Sequence, residues 1–168
     1  VQPAKESLRK LEAETASLTF MDVPRPEMER LQVVTSREEA VAILMRCMCL
    51  TLDDGFQAEV LAEFHYHNFM FCQRRGFSVE KTSAFLSIMK RVHQQAVLER
   101  KLSEAEARGL FDVILDRHSQ QLPPYSLGVF TSEEAAALRE HASRNFFRLY
   151  AMHVFIYTRR QELELRTV

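Results

Sequence analysis

An all-α fold is the class this sequence predicts: a bundle of about five main helices, with a short extended Pro-Pro connector before the last and an N-terminal helical arm. Three observations carry the prediction. Four glycines among 168 residues leave few tight turns, which argues against a sandwich or barrel. Helix-start signals of the form Ser/Thr-x-x-Glu recur, as Ser36 with Glu39, Ser103 with Glu106 and Thr131 with Glu134. Between them, apolar residues return at spacings of three and four. The length suits one domain, whose core buries roughly 70% of the unfolded chain's surface without a disulfide or metal staple.

Residues 1–23 are expected to form an arm. "AKESLRKLEAE" holds helix formers but only Leu8 and Leu11 as apolar anchors, so the arm is expected to order against a partner. Residues 24–168 form the single domain, and a short additional helix over Pro26 to Leu31 is left open. Ser36 opens "AVAILMRCMCL". Asp53 and Asp54 place negative charge at the start of the next helix, which runs to about Arg75 and stops at Gly76. Ser78 caps a helix whose Phe85, Met89, Val92 and Ala96 share one face. After Ser103, a stripe of Ala107, Leu110, Phe111, Ile114 and His118 ends at Pro123-Pro124. "YSLGVF" reads as an extended connector. Thr131 opens the last helix, whose core stripe is Leu138, Ala142, Phe146, Leu149, Tyr150, His153, Ile156 and Tyr157.

"FHYHNFMFCQRRGFS", residues 64–78, looks chemical but assembles no site. Side chains two apart on a helix diverge by about 200°, so His65 and His67 cannot share one ion. Cys47 and Cys49 fail for the same reason. His65 and Cys72 are separated by roughly 10.5 Å of helix axis, too far for ligands each about 2 Å from one zinc. No phosphate loop, HExxH or GxSxG occurs, and Cys72 lacks a base and an orienting partner on its own helix. No catalytic, cofactor-binding or metal residue is therefore assigned. An odd number of cysteines without CxxC suits a reducing compartment. A net charge of -1 supplies no field for nucleic acid or a membrane.

The same stretch reads better as packing. On a helical wheel Val60, Phe64, His67, Asn68 and Phe71 make one sector, extended by Leu61 and Cys72, while Tyr66, Phe69 and Met70 point the other way. A helix apolar all round is either central in its domain or covered by a partner. Phe147 and Val154 likewise fall outside the main stripe of the last helix. Tyr66, Phe69, Met70, Phe147 and Val154 are accordingly the expected partner-binding residues, and Phe64, Phe71, Phe85 and Phe146 the expected core. The last helix also carries Arg144, Arg148, Arg159 and Arg160 among spaced aromatics, a pattern that calmodulin targets share.

Two stretches, "EFHYHNFMFCQRRGFSVEKTSAFLSIMKRVH" and "LPPYSLGVFTSEEAAAL", together resemble the signature of the CLAMP family. The first holds the turn Gly76-Phe77-Ser78 followed by Glu80, Thr82, Ser83 and Phe85. The second holds Pro123, Pro124, Tyr125, Ser126, Gly128 and Phe130 before the final helix. The likeness spans roughly Ser36 to Thr158. It implies a non-enzymatic subunit of a central-pair projection in the axoneme of motile cilia and flagella, contributing to ciliary or sperm flagellar motility. Its partners would be larger central-apparatus scaffold chains and neighbouring projection subunits, calmodulin belonging to the same projection. It implies no catalytic residue and no cofactor.

Overall fold

The capping residues fall where the helices begin. The structure, a computed structural model, describes residues 17–50, 55–121 and 128–158. Among the described residues there are seven α-helices and no strand: α1 (Arg25–Val33), α2 (Arg37–Cys47), α3 (Gly55–Arg74), α4 (Val79–His93), α5 (Glu104–Ser119), α6 (Ser132–Ala142) and α7 (Tyr150–Thr158). The Ser36 and Ser78 hydroxyls accept from the N–H groups of Glu39 and Lys81, and Ser103 and Thr131 form complete capping boxes with Glu106 and Glu134. Gly76, at φ +67°, turns the chain out of α3. α1 is the short helix that the sequence left open. The Pro123-Pro124 part of the connector and Asp53-Asp54 lie outside the described residues. The connector's end is anchored by Val129 and Phe130, whose N–H groups donate to the His118 carbonyl at 2.6 and 3.1 Å.

Two π turns interrupt the α-helical ladder. Gln94–Glu99 prolongs α4, and Ser143–Phe147 links α6 to α7, so the one long final helix of the sequence reading becomes two helices around a π turn. Each π turn admits an extra residue, which shifts the faces that follow it.

Two apolar clusters stand among the described residues. The larger gathers Phe64, Phe85, Met89, Phe111, Leu138 and Phe146, among others, from α3 to α7. The smaller packs Met28, Leu31, Ile43 and Leu44 of α1 and α2 against Phe69 of α3 and Leu86 of α4. α4 lies between them, and every residue from Thr82 to Met89 is buried. The central helix is thus α4, which the sequence reading gave a single buried face. Its second face carries Ser83, whose hydroxyl donates to the Val23 carbonyl at 2.9 Å and accepts from the Phe20 N–H at 3.0 Å. Small hydroxyl side chains bury well when so partnered. Leu18 and Val23, within the segment read as the arm, are both buried in the described structure; the arm's residues 1–16 lie outside the described residues.

The two-cluster arrangement corrects the wheel drawn for α3. Phe69 is only 3% exposed and sits in the smaller cluster, against which Tyr66 and Met70 are also packed. The buried residues of α3 are Ala58, Leu61, Ala62, Phe64, His65, Asn68, Phe69 and Cys72, and His67 is exposed. The buried face is turned because α1 and α2 cover what a single-core reading leaves outside. The π turn corrects the last helix in the same way. Phe147 is 2% exposed, 5.8 Å from the Phe111 ring, with Arg108 stacked 4.6 Å above it. Val154 packs half-buried on the larger cluster, whereas Leu149, expected in the core, is exposed. Phe64, Phe85 and Phe146 are buried as expected, and Phe71 is half-buried.

Candidate interaction surface

With Phe69 and Phe147 buried and Tyr66, Met70 and Val154 half-buried, the more exposed apolar surface lies elsewhere. α3 and the α6–α7 helix run antiparallel beside each other and leave a groove of about 360 Å³ between them. Phe56, Val60 and Phe64 line its α3 wall, and Phe146, Leu149 and Met152 line the opposite one. Phe56 is 66% exposed, Leu149 46% and Met152 42%. An apolar cleft between helices with a few polar groups in it is the usual form of a binding site.

Polar contacts close both ends. At one end the Gln57 side-chain amide donates to the Ile156 carbonyl at 2.9 Å, and the Tyr157 hydroxyl donates to the Gln57 carbonyl at 2.5 Å. At the other, Asn145, His141 and Asn68 form a chain whose proton positions follow from one fixed point. The Asn145 Nδ2 donates to the His141 carbonyl at 2.8 Å, and a carbonyl can only accept. The same nitrogen faces His141 Nδ1 at 3.2 Å, so Nδ1 is an acceptor and the ring proton sits on Nε2. Nε2 therefore donates to Asn68 Oδ1 at 2.9 Å. Asn68 Nδ2 is left buried without a partner among the described residues, in a side chain that lines the groove. Burial, then the neighbouring His67 and Arg74, lowers the His141 pKa to about 4, which keeps this ring neutral at physiological pH.

Charge around the groove is uneven. Among the described residues, the acidic and basic side chains that line it are Glu59 and Glu63, both on α3 beside the exposed His67, and Glu63 is also paired with Arg37. Arg144 and Arg148 are exposed on the α6–α7 side but outside the lining, with Arg144 held 2.7 Å from Glu140. Arg159 and Arg160 lie outside the described residues. Of the four arginines read as a calmodulin-type edge, Arg144 and Arg148 are exposed beside Leu149 and Met152.

Behind the groove lies a cluster that sequence reading missed. His65, His93 and His153 are 0%, 1% and 3% exposed. The His93 and His153 rings are 5.2 Å apart, and the Phe64 ring lies 5.0, 5.8 and 5.4 Å from His65, His93 and His153. Burial is the main cause of low pKa values, about 3 for His65 and His93 and about 4 for His153; Lys90 adds to the effect at His65, and the neighbouring histidines add to it at His93. Three neutral rings, His153 edge to face with Phe64 and Phe146 and His65 and His93 tilted against phenylalanines, serve as aromatic filling. His65 and His67 share a helix but not a side, one in the core and one in solvent. No group of three His, Cys, Asp or Glu among the described residues is placed to hold a metal ion. Cys72 is buried, which pushes its thiol pKa far up and leaves it a poor nucleophile. No helix among the described residues is long and apolar enough to cross a membrane.

The only signal in the sequence for this cluster is that three of the six histidines, His65, His93 and His153, stand in apolar surroundings on three different helices. The family CLAMP, described as flagellar C1a complex subunit C1a-32, matches residues 67–165, more than half of the chain. The match starts in the middle of α3, not at Ser36, and takes in the G-F-S turn, the central helix and both walls' later residues.

Proposed function

Since this chain belongs to the CLAMP family of flagellar C1a complex subunits, we propose that it is a non-enzymatic assembly subunit that holds its neighbours through the α3/α7 groove. Membership places it in the axoneme of the cilium or flagellum, among the other subunits of that complex, and the family is a structural one. The finer reading is that it contributes to building a microtubule-attached central-pair projection, and through it to ciliary or sperm flagellar motility. The observation that carries the reading is the groove. Phe56, Leu149 and Met152 put large apolar side chains in solvent on a fold whose two clusters are otherwise filled. Contiguous exposed apolar surface of this kind marks interaction sites. The chain acts as one packed domain in this reading, and the N-terminal arm adds a second contact.

The test is a Leu149→Ser/Met152→Ser double variant of the full chain. Both side chains are about half exposed, so the fold is expected to survive with little change in melting temperature. Co-purification with axonemal complexes from ciliated cells is expected to be lost. A variant that folds and still co-purifies would refute the groove as the contact.

One observation favours a second, calcium-linked reading. Leu149 and Met152 are exposed on the same helical segment as Arg144 and Arg148, a short basic amphipathic edge of the kind calmodulin grips. A calcium-dependent pull-down with calmodulin, lost in Arg144→Gln/Arg148→Gln but not in Glu59→Lys, would support it over a purely structural role.

A further inference from the structure

The groove's shape and charge say what kind of partner it takes. Resting on the assembly reading above, we infer that its occupant is an amphipathic helix from a neighbouring protein subunit, basic along the flank that faces α3. Three observations carry this. The first is length. The groove is clasped at Gln57 and again at Asn68, and the eleven residue steps of α3 from one to the other span roughly 16 Å, about three helical turns. A third helix laid between two antiparallel ones fits that trough, with anchors at i, i+4 and i+7 meeting its apolar walls. The second is charge. Glu59 and Glu63 stand on the α3 wall, Glu63 shared with Arg37, and among the described residues no Lys or Arg lines the groove, so Lys or Arg on the facing flank of the occupant is attracted, to Glu59 above all, and Asp or Glu repelled. The third is the unpartnered Asn68 amide at the closed end. An apolar stripe that ends on a side chain bearing an acceptor, an amide or a hydroxyl, satisfies it after a small shift of the amide; an all-aliphatic stripe leaves it unpaired.

The experiment uses the full chain and two synthetic peptides of about 18 residues, about five turns. They share one Leu stripe with a single Gln. One carries Lys on the flank and the other Glu, and a scrambled Lys peptide controls for charge alone. Binding is followed by calorimetry at low and high salt. The Lys peptide is expected to bind about tenfold tighter than the Glu peptide at low salt, a gap that shrinks as salt screens it. Glu59→Lys is expected to close or reverse the gap. Leu149→Ser/Met152→Ser is expected to weaken both peptides about tenfold or more without lowering the melting temperature. Equal affinity for the Lys and Glu peptides, or binding of the scrambled peptide as tight as the ordered one, would overturn the inference. The axonemal experiment separates this from the assembly reading. If the double variant leaves the axoneme while the peptides show no preference, the groove is the contact but its occupant is not a basic helix. If the peptides behave as expected while the variant stays in the axoneme, the groove takes such a helix but does not hold the subunit in its complex.

Discussion

Acid should destabilise this protein before its carboxylates begin to protonate, and the buried histidines set the size of the effect. His65 and His93 are neutral in the folded protein, with pKa values of about 3, against about 6.5 in an unfolded chain. A depressed histidine pKa means that only the unfolded state takes up protons as the pH falls below about 6.5, so stability is full above that value and is lost progressively until the folded pKa is reached. Each ring contributes about 1.4 kcal/mol per pH unit, hence about 2 kcal/mol at pH 5, and the two together about 4 kcal/mol. That is a large share of the roughly 5–15 kcal/mol typical of a domain. Glu80, Glu106 and Glu134 have carboxyl pKa values lowered by hydrogen bonds, so their contributions are lost only below the ordinary carboxylate range, about 4.3. The interval from about pH 7 to 5 therefore isolates the histidines. The perturbation is His65→Leu. Neither ring nitrogen of His65 has a partner among the described residues, so an apolar side chain of similar size should leave stability at neutral pH unchanged or raised. Urea denaturation across the interval should show the parent losing stability and His65→Leu losing about 1.4 kcal/mol per pH unit less. Equal slopes in the two proteins, or an NMR titration of His65 near its ordinary pKa, would refute the reasoning.

Three further outcomes follow from burial and backbone. Phe85→Ala, in the larger cluster on the central helix, should cost about 3–5 kcal/mol, and Phe147→Ser at least about 3 kcal/mol, both visible as a large fall in melting temperature; an unchanged melt for Phe147→Ser would restore the outward orientation first expected of it. Gly76→Ala should cost about 1–2 kcal/mol because φ +67° is unfavourable for a side chain, even though a Cβ there would meet nothing within 4 Å; the midpoint of urea unfolding measures it. In the native protein a thiol reagent should label the exposed Cys49 quickly and Cys72 only on unfolding, as peptide mapping of the labelled protein would show.

Helix starts and stops were legible in the sequence because they depend on residues close in the chain. Ser36, Ser78, Ser103 and Thr131 each satisfy an N–H three residues on, and Gly76 supplies a backbone conformation that other residues resist. The family signature was legible for the same reason, since its residues stand in two continuous stretches. Which faces are buried was not. A wheel assumes one core and an unbroken period of 3.6 residues per turn. Here α1 and α2 build a second cluster that draws in Phe69, Tyr66 and Met70, and the π turn at Ser143–Phe147 brings in Phe147 while releasing Leu149. α4 shows the limit most clearly. Thr82, Ser83 and Ser87 look like a solvated face, yet no charged residue falls between Lys81 and Lys90, and all eight intervening residues are buried. The groove and the histidine cluster belong wholly to tertiary structure, because their members come from helices far apart in the chain. Local hydrogen bonding decides where a helix begins, but only the packing of helices on one another decides which of its sides meets water.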